Sequence, residues 1–91
     1  MDIFWTSKAQ DDLERLYRFA NQYSKSHADT LLDRLVDGVS GLAFHPRLGG
    51  LVTRFEPKEV RRLILDDYEI HYEIRFNSLY IADLWHTKEE R

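Results

Sequence analysis

Residues 68–76, YEIHYEIRF, alternate apolar and polar side chains without a break, and no other feature of the sequence restricts the fold as strongly. A period of two is the signature of a β-strand with one face buried; on a helix the same residues would be scattered around every side. Tyr68, Ile70, Tyr72, Ile74 and Phe76 are therefore expected on the covered face, with Glu69, His71, Glu73 and Arg75 on the other. One strand buries little by itself, and two β-prone runs flank it, Val60 to Asp66 and Leu79 to Trp85. Asp66-Asp67 and Asn77-Ser78 read as the turns between them, and connections that short make neighbouring strands antiparallel. The result is a three-strand meander whose apolar face needs a cover.

The first half of the chain supplies that cover. After a short β-prone run, Ile3-Phe4-Trp5, the spacing of Ser7 and Gln10 matches a capping box and predicts a helix from near Lys8 to about Tyr23. Ala9, Leu13, Leu16, Tyr17 and Ala20 share one helical face, with Asp11, Asp12, Glu14, Arg15 and Arg18 mostly off it. Ser26 and Asp29 read as a second helix N-terminus, followed by a wide stripe of Leu31, Leu32, Leu35, Val36, Val39, Leu42 and Ala43. Gly38 and Gly41 interrupt this stripe at a helix-propensity cost of about 1 kcal/mol each, which predicts close packing at both. Pro46 ends the helix, HPRLGG (45–50) is a loop, Leu51 to Phe55 is a weak strand before a Glu56-Pro57-Lys58 turn, and His86 to Arg91 is a polar tail. The fold class expected is α+β: a short N-terminal strand and an antiparallel helix hairpin packed on a mainly antiparallel C-terminal sheet, as one domain over 1–91. A chain of 91 residues has a near-minimal core, so most of its large apolar residues must be structural.

Composition narrows the function. A formal net charge of −3 is poor for a general nucleic-acid binder, and no direct DNA binding is expected of the chain alone. Charge is uneven, however: Ala9 to Ser40 carries six acids against four bases, whereas Phe44 to Leu65 carries Arg47, Arg54, Lys58, Arg61 and Arg62 against Glu56 and Glu59. An anionic partner would meet the second stretch. Cysteine is absent, no apolar run approaches the roughly 20 residues of a membrane span, and the N-terminus lacks the features of a secretory signal; the expectation is a cytoplasmic protein with no membrane partner. The sequence contains no P-loop, dinucleotide fingerprint, HExxH pair or nucleophile elbow, so no cofactor and no metal are expected.

Few residues remain for chemistry. His27, His45 and His71 read as solvated; His86 ends the last strand beside Trp85 and could face the Arg61/Arg62 strand. Asp66 and Asp67 fit a turn better than a metal site. Arg61 and Arg62 must point to opposite faces of their strand, one toward the helix-covered side and one free, serving either an ion pair with a helix acid or an anion fork for a partner. Tyr68 and Tyr72 share their face with Ile70 and Ile74 and read as core; Trp85 reads as core or as a contact residue.

The blocks HPRLGG (45–50), VRRLILDDYEIHYEIRF (60–76) and SLYIADLWHTKEER (78–91), together with Trp5, Ala9, Asp11 and Leu13 around the start of the first helix, resemble the RelE/ParE superfamily of type II toxin–antitoxin toxins, closest to the ParE, or plasmid-stabilisation, branch. The resemblance spans essentially the whole chain. It implies a growth-inhibiting toxin neutralised by a cognate antitoxin that wraps across the helix hairpin and sheet, with Arg61 and Arg62 as antitoxin-binding anchors. The target is not fixed by the fold: ParE-like members inhibit DNA gyrase, and RelE-like members cleave mRNA on the ribosome without metal.

Metal-free RNA cleavage needs a base, an acid and cations around one phosphate. For that reading the candidates are Arg62, His86, Arg75 and Glu59, with Glu56 as a second choice for the glutamate, but the C-terminal tyrosine of the nucleases is missing and Glu89 and Glu90 would repel RNA. Gyrase inhibition needs arginine and aromatic anchors on a complementary surface and no acid–base pair. Arg47, Arg54, Arg62, Trp85, His86 and Arg91 are the expected target-binding residues, and a gyrase-binding inhibitor is the expected activity, with the ribosome and its mRNA as the alternative target.

Overall fold

The computed structural model describes residues 1–89. Strand β1 (Asp2–Trp5) leads into helix α1 (Ser7–Asn21), and helix α2 (Lys25–Ser40) follows and ends in a single 3-10 turn, Gly41–Ala43. Strands β2 (Gly50–Leu51), β3 (Glu59–Leu65), β4 (Tyr68–Arg75) and β5 (Ser78–His86) come after it. They form one five-stranded sheet in the order β1-β5-β4-β3-β2, with β1 parallel to β5 and every other pair antiparallel. Both helices cover one face. Leu16 and Ala9 of α1 and Leu35 and Val39 of α2 pack with Leu63, Ile70, Tyr72, Leu79, Ile81 and Leu84 of the sheet in a single core.

The predicted meander is present, with local shifts that have physical causes. The first turn is Asp66-Asp67, as expected, but the second is Phe76-Asn77, because Ser78 already pairs with Arg75. Phe76 thus leaves the covered face: its side chain is fully exposed and its φ is 55°, the same left-handed value that Asp66 takes in the first hairpin. Aspartate tolerates that region, whereas a bulky residue there costs about 1–2 kcal/mol. The strand expected over Leu51 to Phe55 shrinks to Gly50–Leu51 plus a 3-10 turn, Thr53–Phe55. This segment is a sheet edge with one neighbour, and the local bonds from Phe55 N–H to the Val52 carbonyl (3.2 Å) and from Glu56 N–H to the Thr53 carbonyl (3.0 Å) take over its backbone groups.

The helix starts also move. Thr6, not Ser7, caps α1: its hydroxyl accepts from Ala9 N–H at 3.1 Å and donates to the Ile81 carbonyl at 2.8 Å, so the cap is also a tie to β5. The Gln10 amide reaches back to the Trp5 carbonyl at 3.0 Å. Ser24 caps α2 by accepting from His27 N–H at 2.9 Å, while Asp29 accepts from the Tyr17 hydroxyl at 2.7 Å and locks the two helices together. At Gly38 an added Cβ would lie 2.5 Å from Leu65 Cδ2, so close packing holds there; at Gly41 it would meet open space, and the expectation fails.

Asp12 is the largest departure. Expected off the apolar face, it is buried at 4% exposure, where its carboxylate accepts from Leu84 N–H at 3.1 Å and from Lys8 at 2.6 and 2.7 Å. Arg15 adds a contact at 3.3 Å. Beside it the β4–β5 register slips: His71 lies opposite Asp83 but Tyr72 opposite Ile81, which leaves Ala82 as an extra residue. That bulge reverses the alternation along β5. Leu79, Ile81, Leu84 and His86 therefore lie on the helix side, and Tyr80, Asp83 and Trp85 on the open side.

Candidate functional site

The loop that frames the site is fixed from below. The Tyr72 hydroxyl, fully buried, accepts from Gly49 N–H at 2.9 Å and donates to the Pro46 carbonyl at 2.8 Å. Gly49 has no room for a side chain, since a Cβ would stand 2.8 Å from both the Arg62 carbonyl oxygen and the Tyr72 hydroxyl. Arg61 donates to the Gly49 carbonyl at 2.8 Å and to Glu59 at 2.8 Å, and Arg47 grips Glu59 in a two-point fork at 2.9 Å per bond. Hydrogen bonds from Arg47 first, and then from Arg61, hold the Glu59 carboxyl below the usual carboxylate range. Arg61 thus pairs with a glutamate of its own strand, not with an acid of the helix hairpin.

Arg62, one residue on, points to the open face. It lies cross-strand from His71, whose Nε2 is 3.4 Å from Glu69 and whose Nδ1 is 3.4 Å from Asp83. The Trp85 ring meets the imidazole edge-to-face with centroids 4.7 Å apart. His71 is therefore enclosed, with a side chain only 12% exposed, and not solvated as expected. Val52, Arg54 and Phe55 form the rim of this cleft, the Arg54 guanidinium stacking over the Phe55 ring at 4.8 Å. Arg62 is exposed, and among the described residues neither it nor Arg54 forms an ion pair. Trp85 is 9% exposed, a wall of the cleft and part of the sheet's packing at once.

At the far end of the same face Arg75 lies over the Tyr80 ring at 4.3 Å, and Tyr80 stacks on Phe4 with centroids 5.4 Å apart. On the helix side, His86 meets Tyr68 edge-to-face at 5.1 Å and lines an apolar groove with Leu16, Phe19, Ala20 and Tyr23. Its Nδ1 accepts from Lys88 N–H at 3.1 Å, and Glu89 accepts from His86 N–H at 2.8 Å and from Arg15 at 2.6 Å, pinning the start of the tail.

The structure thus divides the sequence candidates. Arg54, Arg62 and Trp85 share one cleft. His86 does not face Arg62 across the sheet, because the bulge at Ala82 turns it to the opposite side. Arg75 lies on the open face toward the other end of β4, Glu59 and Arg61 lie on the helix side with Arg47, and Arg91 falls outside the described residues. His71, Glu69 and Asp83 are the site residues that sequence reasoning missed, although the alternation itself placed His71 and Glu69 on the face opposite the core. Among the described residues no group of three or more histidines and acids is arranged to hold a metal ion, and no helix is long and apolar enough to cross a membrane.

Comparison with known proteins agrees with this architecture. A solved structure described as "Chromosomal ParDE TA system from P. aeruginosa" superposes with a TM-score of 0.78 at 21% identity, covering 94% of this chain and 95% of that one. Among curated protein sequences none matches this chain. The family profile described as "ParE toxin of type II toxin-antitoxin system, parDE" matches residues 3–91, and on that match the chain belongs to the ParE toxin family of type II toxin–antitoxin systems.

Proposed function

We propose that this toxin acts by binding DNA gyrase, that it does so through the cleft of Arg54, Arg62 and Trp85, and that a cognate antitoxin neutralises it. The observation that carries the reading is the state of the charges on the open face. Among the described residues Arg62 and Arg54 form no ion pair and stand beside an aromatic wall, while His71 has a carboxylate at each ring nitrogen and little exposed surface. Unpaired arginines next to aromatic groups are the usual anchors of a protein interface. The helix-side groove of Leu16, Phe19, Ala20 and Tyr23 suits an antitoxin segment that folds on binding and lays its own apolar side chains into a cleft.

A ribosome-dependent nuclease is the second reading, and one observation favours it: Arg62 and His71 are cross-strand neighbours, a cation beside an acid–base group. Against it, two of the other sequence candidates, Glu59 and His86, lie on the opposite face, Glu59 is already bound by two arginines, and Arg75, though on the open face, stands at the other end of β4 beside Glu73.

Purified toxin added to a gyrase supercoiling assay, in parallel with an mRNA cleavage assay on translating ribosomes, separates the two. Inhibited supercoiling with intact mRNA is the expected result, and Arg62→Ala should weaken inhibition by about 30-fold, the effect of losing one interface hot spot. Its thermal transition should stay within about 0.5 kcal/mol of the wild type, as for an exposed residue. Codon-spaced mRNA cuts with normal supercoiling would replace this reading with the nuclease.

A further inference from the structure

Among the described residues Phe76 alone combines a fully exposed aromatic ring with a left-handed backbone. It sits at the first loop position of the β4–β5 hairpin with φ 55°, and its ring is 100% exposed. The equivalent position of the β3–β4 hairpin holds Asp66, which tolerates the left-handed region and forms an ion pair with Arg34. Glycine or asparagine would satisfy the backbone of the second hairpin without strain. The phenylalanine adds strain and exposes a whole aromatic ring, and no contact of that ring with another described residue offsets either cost. Strain of this kind persists where it serves function.

The surroundings point to what it serves. On one side the ladder Arg75–Tyr80–Phe4 runs back along the open face, the face that carries Arg62. On the other, Lys58 and Arg75 flank a shallow cleft with Pro57, Glu59 and Glu73. Glu59 is committed to Arg47 and Arg61, Glu73 stands 3.8 Å from Arg75, and Lys58 makes no ion pair among the described residues, so Lys58 is the cation left open beside the turn. The turn stands at the end of the sheet, braced by β1 at Ser78 and by β3 at Ile74, and an aromatic knob held there beside Lys58 and Arg75 is the complement of a concave apolar pocket with an acidic rim. A disordered tail brings its own side chains to grooves and offers no such pocket, whereas a folded partner does.

We propose that Phe76 is a projecting anchor that docks the hairpin tip into an apolar, acid-rimmed pocket on the folded protein target of this toxin, extending the contact begun at Arg62 and Arg54. The inference rests on the reading of this chain as an inhibitor of a protein target. It is tested with Phe76→Gly, Phe76→Asn and Phe76→Trp in the full chain, read by melting temperature, growth inhibition on induction, binding to purified gyrase, and co-purification with the antitoxin encoded beside the toxin. The glycine and asparagine variants should melt about 4–8 °C higher, since strain is relieved, yet lose at least about tenfold in growth inhibition and in gyrase binding, the loss expected of an interface anchor. The tryptophan variant should keep inhibition. Unchanged inhibition in the relaxed variants would overturn the proposal, and so would a lower melting temperature, which would make the ring structural. Lost antitoxin co-purification with full growth inhibition would overturn it too, by assigning the tip to the antitoxin. If wild-type toxin does not bind gyrase, the gyrase reading alone fails, and the growth assay still decides the role of the tip.

Discussion

Arg61 and Arg62 are adjacent in the chain and live on opposite faces of the sheet, and the two faces treat charge differently. On the helix side the buried and half-buried charges are absorbed: Arg61 by Glu59, which the exposed Arg47 also grips, and Asp12 by Lys8, Arg15 and the Leu84 amide. On the open side Arg62 and Arg54 form no ion pair among the described residues and stand beside a wall of Trp85, His71 and two carboxylates. The helix-side charges join elements distant in sequence, α1 to β5 and the 45–50 loop to β3. Replacing a residue on the first face should therefore cost stability, and on the second, binding.

The largest effect expected on the first face is at Asp12. Asp12→Ala removes the acceptor of the Leu84 amide at the β5 bulge and leaves that N–H buried without a partner, for a loss of about 2–3 kcal/mol. Lys8 and Arg15 are 59% and 40% exposed and regain water, so their lost pairing adds little. Urea unfolding reads the loss directly, and Asp12→Asn, which keeps an acceptor, should recover part of it. A change below about 0.5 kcal/mol, the range of ordinary surface substitutions, would erase the distinction between the faces.

Next in size is Tyr72→Phe. The hydroxyl is the acceptor for Gly49 N–H and the donor to the Pro46 carbonyl, and both sit under the loop that carries Arg47. Removing it should cost about 1–2 kcal/mol, and the Gly49 amide should exchange with solvent faster while amides in the middle of β4 and β5 do not. Equal loss of protection across the sheet would mean that the hydroxyl supports the core and not the loop.

These two residues also show where the sequence was legible. Tyr72 lay on the apolar side of an unbroken alternation, and its burial followed from periodicity alone. Asp12 did not, because helical periodicity counts a carboxylate as polar, and only the bulge at Ala82 supplies the backbone N–H that makes burial acceptable. The same bulge hid the side on which His86 lies, since alternation counted from Leu79 is out of step beyond it. His71 was visible as an open-face residue, but its enclosure depends on Trp85 and Asp83 from β5 and on Glu69 two residues before it in β4. Long-range pairs of this sort leave no mark on a local pattern. Phe76 continued the alternation by one residue too many, and the turn won because the Arg75–Ser78 pairing closed before it.

The smallest effect is the response to acid, and it sharpens the contrast most finely. Burial pushes the Asp12 carboxyl up, but the hydrogen bonds from Lys8, the Leu84 amide and Arg15, with the Lys8 charge, outweigh it, and its folded value lies below the ordinary 3.8. Glu59 lies below its ordinary 4.5, held there by Arg47 and Arg61. A carboxyl whose value is depressed by folding binds its proton more readily in the unfolded chain, so its contribution is present above the ordinary value and disappears as pH falls through the folded one. Stability should therefore decline from just above pH 4.5 downward. Asp12→Asn should flatten the lower part of that decline and Glu59→Gln the upper part, because each removes one titrating group. Arg62→Ala, on the open face, should leave the acid profile parallel to that of the wild type; if it flattens the curve as the helix-face variants do, Arg62 holds a carboxylate in the folded protein and is not the unpaired anchor described above.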